Sequence, residues 1–314
     1  MLLTIILIVV AALLVTVLAL WLFGERWRPL RPSTWKMMRE AGLRRLLNIS
    51  ALHGYIYVRW RNPYIYLAIH YAIPRLGPFG KRWWSNRYHG KVLTHEHAKA
   101  MITVDYEIPL RDLEQIIPYS TARDLVLKGP REVVIYECAC RHARANPCQP
   151  TQVCMYIGQP FVDFALEHNP KTSRRITQAE ALELLEAAHE RGHVHSAWFK
   201  DACIDRFYGI CNCCKCCCGG IEAMVKYGMP IIASSGYVAR VDETRCKGCA
   251  TCEASCPFEA VRVDGISVLK WENCMGCGVC VEQCPNGARS MVRDERKGMP
   301  LDVRLLTRDQ AKSK

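Results

Sequence analysis

The chain has 314 residues, 19 of them cysteine, and a formal net charge of +12. That length allows two modest domains plus an anchor. An odd and very large cysteine count excludes a complete disulfide framework and points to thiolates kept in a reducing compartment.

From the N-terminus, Leu2 to Phe23 carries no charge and only Thr4 and Thr16 as polar side chains. About 20 apolar residues span a bilayer, so 1–24 reads as a single transmembrane helix. A cleaved signal peptide would start basic and end in small residues. Here no Lys or Arg precedes the apolar run, which ends Leu20-Trp21-Leu22-Phe23. Arg26, Arg28, Arg31 and Lys36 all follow it, so the positive-inside bias puts the N-terminus outside and the bulk of the chain in the cytoplasm.

The positive charge is local: between Glu25 and Lys91 fourteen Lys/Arg face two acids, and the remainder balances. Residues 25–100 interleave these cations with Trp35, Trp60, Trp83, Trp84, Tyr55, Tyr57, Tyr64, Tyr66 and Tyr71. Arg39, Arg44 and Arg45 punctuate a helical pattern of Met37, Met38, Leu43, Leu46 and Leu47. A basic, aromatic segment beside a span suits an anionic leaflet or the docking face of a redox partner, and the adjacent anchor argues against nucleic acid. A packed subdomain is the alternative. His95 and His97 lie in a polar connection with no third ligand nearby in sequence, which suggests surface or supporting roles.

A cysteine-rich α/β domain is expected over 101–236. Thr121–Leu127 reads as a short helix stopped by Gly129-Pro130, and Glu132–Tyr136 as a buried strand that delivers the chain to Cys138, Cys140, Cys148 and Cys154. Thr177 and Glu180 form a capping box for a helix to Arg191, with Ala181, Leu184, Leu185 and Ala188 on its apolar face and Gly192 after it. His193 and His195 read as structural. Cys203 follows, then Cys211, Cys213, Cys214, Cys216, Cys217 and Cys218, between a strand at Phe207–Ile210 and a helix at Ile221–Tyr227. Alternation would turn Cys211, Cys213 and Cys216 to one centre and their neighbours to another. These thiols suffice for one or two further iron–sulfur clusters shared between Cys138–Cys154 and Cys211–Cys218. Structural zinc is the alternative, and a thiol–disulfide site a further one.

Beyond them, Cys246, Cys249, Cys252 and Cys256 precede Pro257, and Cys274, Cys277, Cys280 and Cys284 precede Pro285. Each run reads C-x-x-C-x-x-C-x-x-x-C-P, the spacing that wraps three thiolates around a [4Fe–4S] cluster and sends the fourth to the other cluster. Cluster one is therefore assigned to Cys246, Cys249, Cys252 and Cys284, and cluster two to Cys274, Cys277, Cys280 and Cys256. Zinc needs no third cysteine two residues on and no C-P, twice.

This stretch resembles the bacterial dicluster ferredoxins over about Tyr237–Val292 (domain 237–293). Tyr237–Val241 reads as a strand, Ala260–Val263 and Ile266–Val268 as a hairpin on Asp264-Gly265, and Arg289–Val292 as the closing strand. The resemblance implies one-electron transfer at low potential. Cys217-Cys218-Gly219 resembles the cysteine-rich domains of heterodisulfide reductases, but the C-x-x-C pair those place downstream belongs here to the ferredoxin motif. The whole order resembles membrane-anchored ferredoxin-type proteins of anaerobes with an upstream cysteine-rich domain. The tail 294–314 has mixed charge and reads as flexible.

Without a nucleotide-binding glycine pattern, a flavin motif or a Ser/His/Asp set, the chain reads as an α+β electron carrier or oxidoreductase subunit and not a stand-alone enzyme. The expected role is a polyferredoxin relaying electrons between a cytoplasmic redox partner and a membrane partner, with no small-molecule substrate identified. The alternatives are an electron-input subunit whose upstream cysteines are catalytic, and a redox sensor or cluster scaffold.

Overall fold

The computed structural model describes residues 2–28, 30–42 and 49–306. The fold is α+β, with an apolar helix at the N-terminus. Among the described residues nine strands precede the C-terminal domain: β1 (Tyr88–Val92), β2 (Ile108–Leu110), β3 (Leu125–Leu127), β4 (Val133–Glu137), β5 (Gln152–Ile157), β6 (Ser173–Ile176), β7 (Val194–Lys200), β8 (Arg206–Cys213) and β9 (Ile232–Ala233). Seven of them form one sheet in the order β6-β4-β5-β8-β7-β1-β9, antiparallel except where β1 meets β9; β2 and β3 pair separately.

Both faces of the sheet are buried. One is covered by helix His95–Thr103 and helix Gln178–Glu190 through Met101, Ile102, Ala181 and Leu185, against Ile135, Met155 and Phe199. The other holds Val134, Tyr136, Cys154, Tyr156 and Cys213, and packs against Tyr57, Val58, Ile65 and Ile69 from the helical segment 49–72. The strands therefore alternate between an aliphatic face and a face of thiols and aromatic rings. A bulge refines this. Trp198 pairs with Gly209 and Phe199 with Phe207, so Tyr208 is an extra residue on β8; it joins the face that carries Cys211 and Cys213.

The 25–100 segment contributes directly to this core. Helix Ile49–Arg59 and helix Arg61–Leu67 supply Tyr57, Ile65 and a buried Arg61, and β1 lies within the sheet, ahead of the boundary expected at 101. Pro32–Ala41 is helical, while the rest of the Arg44/Arg45 pattern lies outside the described residues. At the end of the apolar helix Leu2–Gly24, the buried Glu25 carboxylate accepts from the Arg31 amide (2.7 Å) and the Thr34 hydroxyl (2.8 Å).

Two expectations are corrected. Residues 125–127 are a strand and not a helix: β3 pairs with β2, and the Asp124 carbonyl accepts from the Phe207 amide, so long-range pairing overrides local preference. The tail is ordered through 306, because Leu301, Val303 and Leu306 bury against the aliphatic core while Asp302 meets His97 and Arg304. Residues 307–314 lie outside the described part. The capped helix forms as expected: both capping-box hydrogen bonds of Thr177 and Glu180 are present.

The C-terminal domain is built on β10 (Tyr237–Val241), β11 (Val261–Asp264), β12 (Ile266–Leu269) and β13 (Arg289–Arg293). β10 pairs antiparallel with β13, and β11 with β12 around Gly265.

Candidate metal centres

In the C-terminal domain the two cysteine runs interdigitate. Cys246, Cys249, Cys252 and Cys284 line one cavity of about 10 Å³, and Cys274, Cys277, Cys280 and Cys256 line a second of about 20 Å³. The 28-residue repeat is visible in the hydrogen bonds. The amide of Ala260 donates to Cys256 Sγ and that of Ala288 to Cys284 Sγ, both at 3.3 Å. Gly248 and Gly276 hold φ of +61° and +62°, and a Cβ there would collide with the carbonyls of Gly265 and Tyr237.

The surroundings of the two cavities differ. The first is polar: the Ser267 hydroxyl lies 3.2 Å and Arg289 Nη2 3.7 Å from Cys252 Sγ. The second is walled by Ala239, Phe258, Val261, Leu269 and Met291. Arg289 is buried, and its Nε and Nη1 have no partner among the described residues. A buried guanidinium needs an anion, and a thiolate-bound iron–sulfur cluster is one. Burial pushes the Cys280 thiol up to about 12, so loading such a cluster must displace protons.

The upstream thiols divide into two sets. Cys148, Cys214, Cys216 and Cys217 have sulfur atoms all within 4.8 Å of one another. Cys138, Cys140, Cys218, Cys213, Cys211 and Cys154 form a ring on the wall of one cavity, in which each thiol perturbs the titration of the next and Cys154 that of Cys138. The neighbouring thiols hold Cys138 well below the usual thiol range and, with burial, Cys140 and Cys154 well above it. Thus Cys216 does not join Cys211 and Cys213, because the chain leaves β8 at Cys213 and the strand alternation ends there. Cys203 is buried and stands outside both sets, its thiol raised to about 12 by burial.

The ring borders an apolar cavity of about 60 Å³ shared with Tyr57, Tyr88, Tyr136, Tyr208, Trp198 and Arg61. Three tyrosine hydroxyls meet on its wall, with Tyr57 Oη 2.8 Å from that of Tyr208 and 3.3 Å from that of Tyr88. The Arg61 guanidinium stacks 4.0 Å from the Tyr136 ring centroid, and Lys200 Nζ sits 4.4 Å from that of Tyr88. Arg141, on the turn that carries Cys138 and Cys140, faces thiols of both sets. Arg61 Nε and Arg141 Nε are buried without partners among the described residues. As beside Cys252, unpaired guanidinium nitrogens surround thiols that can become an anionic centre.

The four-thiol set is tied within itself and to the ferredoxin domain. The Cys148 amide approaches Cys217 Sγ at 3.5 Å, and Lys215 Nζ donates to the Ala254 carbonyl (2.7 Å), between Cys252 and Cys256. Sequence reasoning missed a histidine group. His95 Nδ1 lies 3.2 Å from His195 Nε2, and His189 stacks on His95 with centroids 4.2 Å apart. Their separation along the chain conceals them. Ligand nitrogens of the three lie within 4.8 Å of one another, close enough to hold a metal ion, while the rings of His95 and His189 stack at 13°. His193 contacts Arg141 at 3.4 Å, and His97 pairs with Asp302.

Residues 239–285 match the family model of a 4Fe-4S dicluster domain. No curated protein matches the chain. The C-terminal part is thus a ferredoxin-type iron–sulfur domain, which suggests an electron-transfer role, and it stands beside a cysteine-rich region able to bind metal.

Proposed function

We propose that the protein is a membrane-anchored polyferredoxin that relays low-potential electrons between a cytoplasmic redox protein and a membrane or complex-bound partner. Two [4Fe–4S] clusters belong to the eight C-terminal cysteines, shared between the runs as the cavities are, and a further iron–sulfur cluster belongs to the six-thiol ring. Such clusters supply one-electron steps whose potential follows hydrogen bonds to sulfur, charge and burial. The observation that carries the reading is continuity: the ferredoxin helix Thr251–Ser255 touches the thiol loop through Lys215, and Cys214 of that loop lines one cavity with Arg141 and the ring thiols.

Support for the anchor comes from the helix Leu2–Gly24, long and apolar enough to cross a membrane and exposed from Thr4 to Leu20. Trp27 and Phe79, 74% and 83% exposed, lie among the cations of the following segment, as at a headgroup boundary. The cations after the helix favour an outside N-terminus. Deleting residues 2–24 is expected to release the protein from membranes with its iron content unchanged. Retention in the membrane fraction would contradict the anchor.

A second reading is favoured by the apolar cavity beside the ring: an electron-input subunit whose ring cluster meets substrate. Under it, an added disulfide changes the electron paramagnetic resonance (EPR) signal of the ring cluster and leaves the ferredoxin signals alone.

A further inference from the structure

The four-thiol set is built to a different size from the ferredoxin sites. Four thiolates about 2.3 Å from one tetrahedral ion stand about 3.8 Å from each other. A four-iron cube sits between its ligands and holds them farther apart. The sulfurs of Cys148, Cys214, Cys216 and Cys217 all lie within 4.8 Å of one another, and the Cys216–Cys217 pair is 3.1 Å apart. No room for a cube remains among them.

We propose that Cys148, Cys214, Cys216 and Cys217 hold a single zinc ion that braces the molecule and carries no electrons. The donor set is the all-thiolate one typical of closed structural zinc sites. Among divalent ions, thiolates bind zinc more tightly than iron(II). The surroundings fit a brace. The Cys148 amide already points at Cys217 Sγ (3.5 Å), the kind of support that orients a metal ligand. Arg144 donates to the Cys217 carbonyl at 3.1 Å and also reaches Glu222, so the 139–148 turn is fastened to the start of helix Gly219–Val225. Between the ligands, Lys215 reaches the ferredoxin domain. The ion would thereby fix the spacing between the ferredoxin clusters and the ring while standing outside the redox path. This assignment does not depend on the electron-relay reading.

The test is metal analysis of the full-length protein, purified without oxygen in detergent, together with Cys214→Ser and Cys217→Ser variants. About one zinc per chain is expected, lost in both variants while iron and acid-labile sulfide stay at the wild-type level. Absence of zinc, with either variant losing about four irons, would overturn the assignment in favour of a cluster. A single iron at the site, read from the absorption of a lone ferric tetrathiolate, would overturn it as well. If the variants fail to fold, cobalt replacement in the wild-type protein decides: tetrahedral thiolate–cobalt bands support the site and their absence refutes it. Loss of sulfide from the whole protein would instead refute the iron–sulfur reading, so the two failures are distinguishable.

Discussion

In the ferredoxin domain four thiols surround each of two small cavities, and a single buried cation, Arg289, stands beside the first. In the sheet domain six thiols ring a cavity of about 60 Å³, with Arg61 and Arg141 on its wall and Lys200 above the tyrosines. One region takes its ligands from a contiguous repeat and tunes them with backbone amides. The other draws ligands from two strands and two loops, and balances them with buried guanidinium groups and aromatic faces. The ring, deep in the fold, has several cations on its wall, because an anion there costs more. Between the ferredoxin sites the buried cation stands at the more exposed first one, and the second, with Cys256, Cys274 and Cys280 buried, has apolar walls instead, with a backbone amide on Cys256.

Removing the ring tests this contrast most severely. A Cys154→Ser/Cys211→Ser double variant is expected to lose about four irons per chain and keep about eight, counted chemically with sulfide. Loss of iron from the ferredoxin domain instead would mean the two regions do not load independently. The next effect is on potential. Replacing Arg289 with Leu removes the cation beside Cys252, so the first ferredoxin cluster is expected to fall by about 100 mV, the size of one charge at roughly 7 Å through an effective dielectric near 20. An EPR-monitored redox titration should show a smaller shift at the apolar second site, whose Cys280 also feels Arg289; equal shifts at both sites would erase the polar–apolar distinction.

A smaller effect concerns acid stability of the sheet domain. Burial holds His89 down from 6.5 to about 4, stacked 3.9 Å from Tyr119 with its Nε2 unpartnered among the described residues. The unfolded chain takes a proton near 6.5 while the folded one refuses it until about 4. Stability therefore falls as pH drops through that window, by about 1.4 kcal/mol per pH unit for one such proton. A His89→Phe variant is expected to flatten the slope of denaturant midpoint against pH. The smallest effect lies in the repeat. Ala250 holds φ +59° where the second run has Gly278 at +83°. Ala250→Gly should stabilise the ferredoxin domain by about 1 kcal/mol, read as a rise in its unfolding midpoint.

The eight C-terminal cysteines and their four strands were legible because everything that builds them is local: a 28-residue repeat, an Asp-Gly turn and alternating strands. The match to residues 239–285 covers this same stretch. The upstream cysteines were legible as a metal-binding region but not as two sets. Which thiol faces which centre depends on the register of β5 against β4, on the bulge at Tyr208 and on where β8 ends. Spacing carries none of that. The same holds for His95 and His195, a hundred residues apart and joined by packing, and for the ordered tail, whose Leu301, Val303 and Leu306 look too few until they meet the face of helix His95–Thr103.

Spin integration of the EPR spectrum of the fully reduced, full-length protein tests the relay most directly. About three reduced-cluster spins per chain, broadened by mutual coupling, are expected if the ring carries a cluster in line with the ferredoxin pair. About two, with the spectrum of an isolated dicluster domain, would leave the sheet domain outside the electron path and contradict the account.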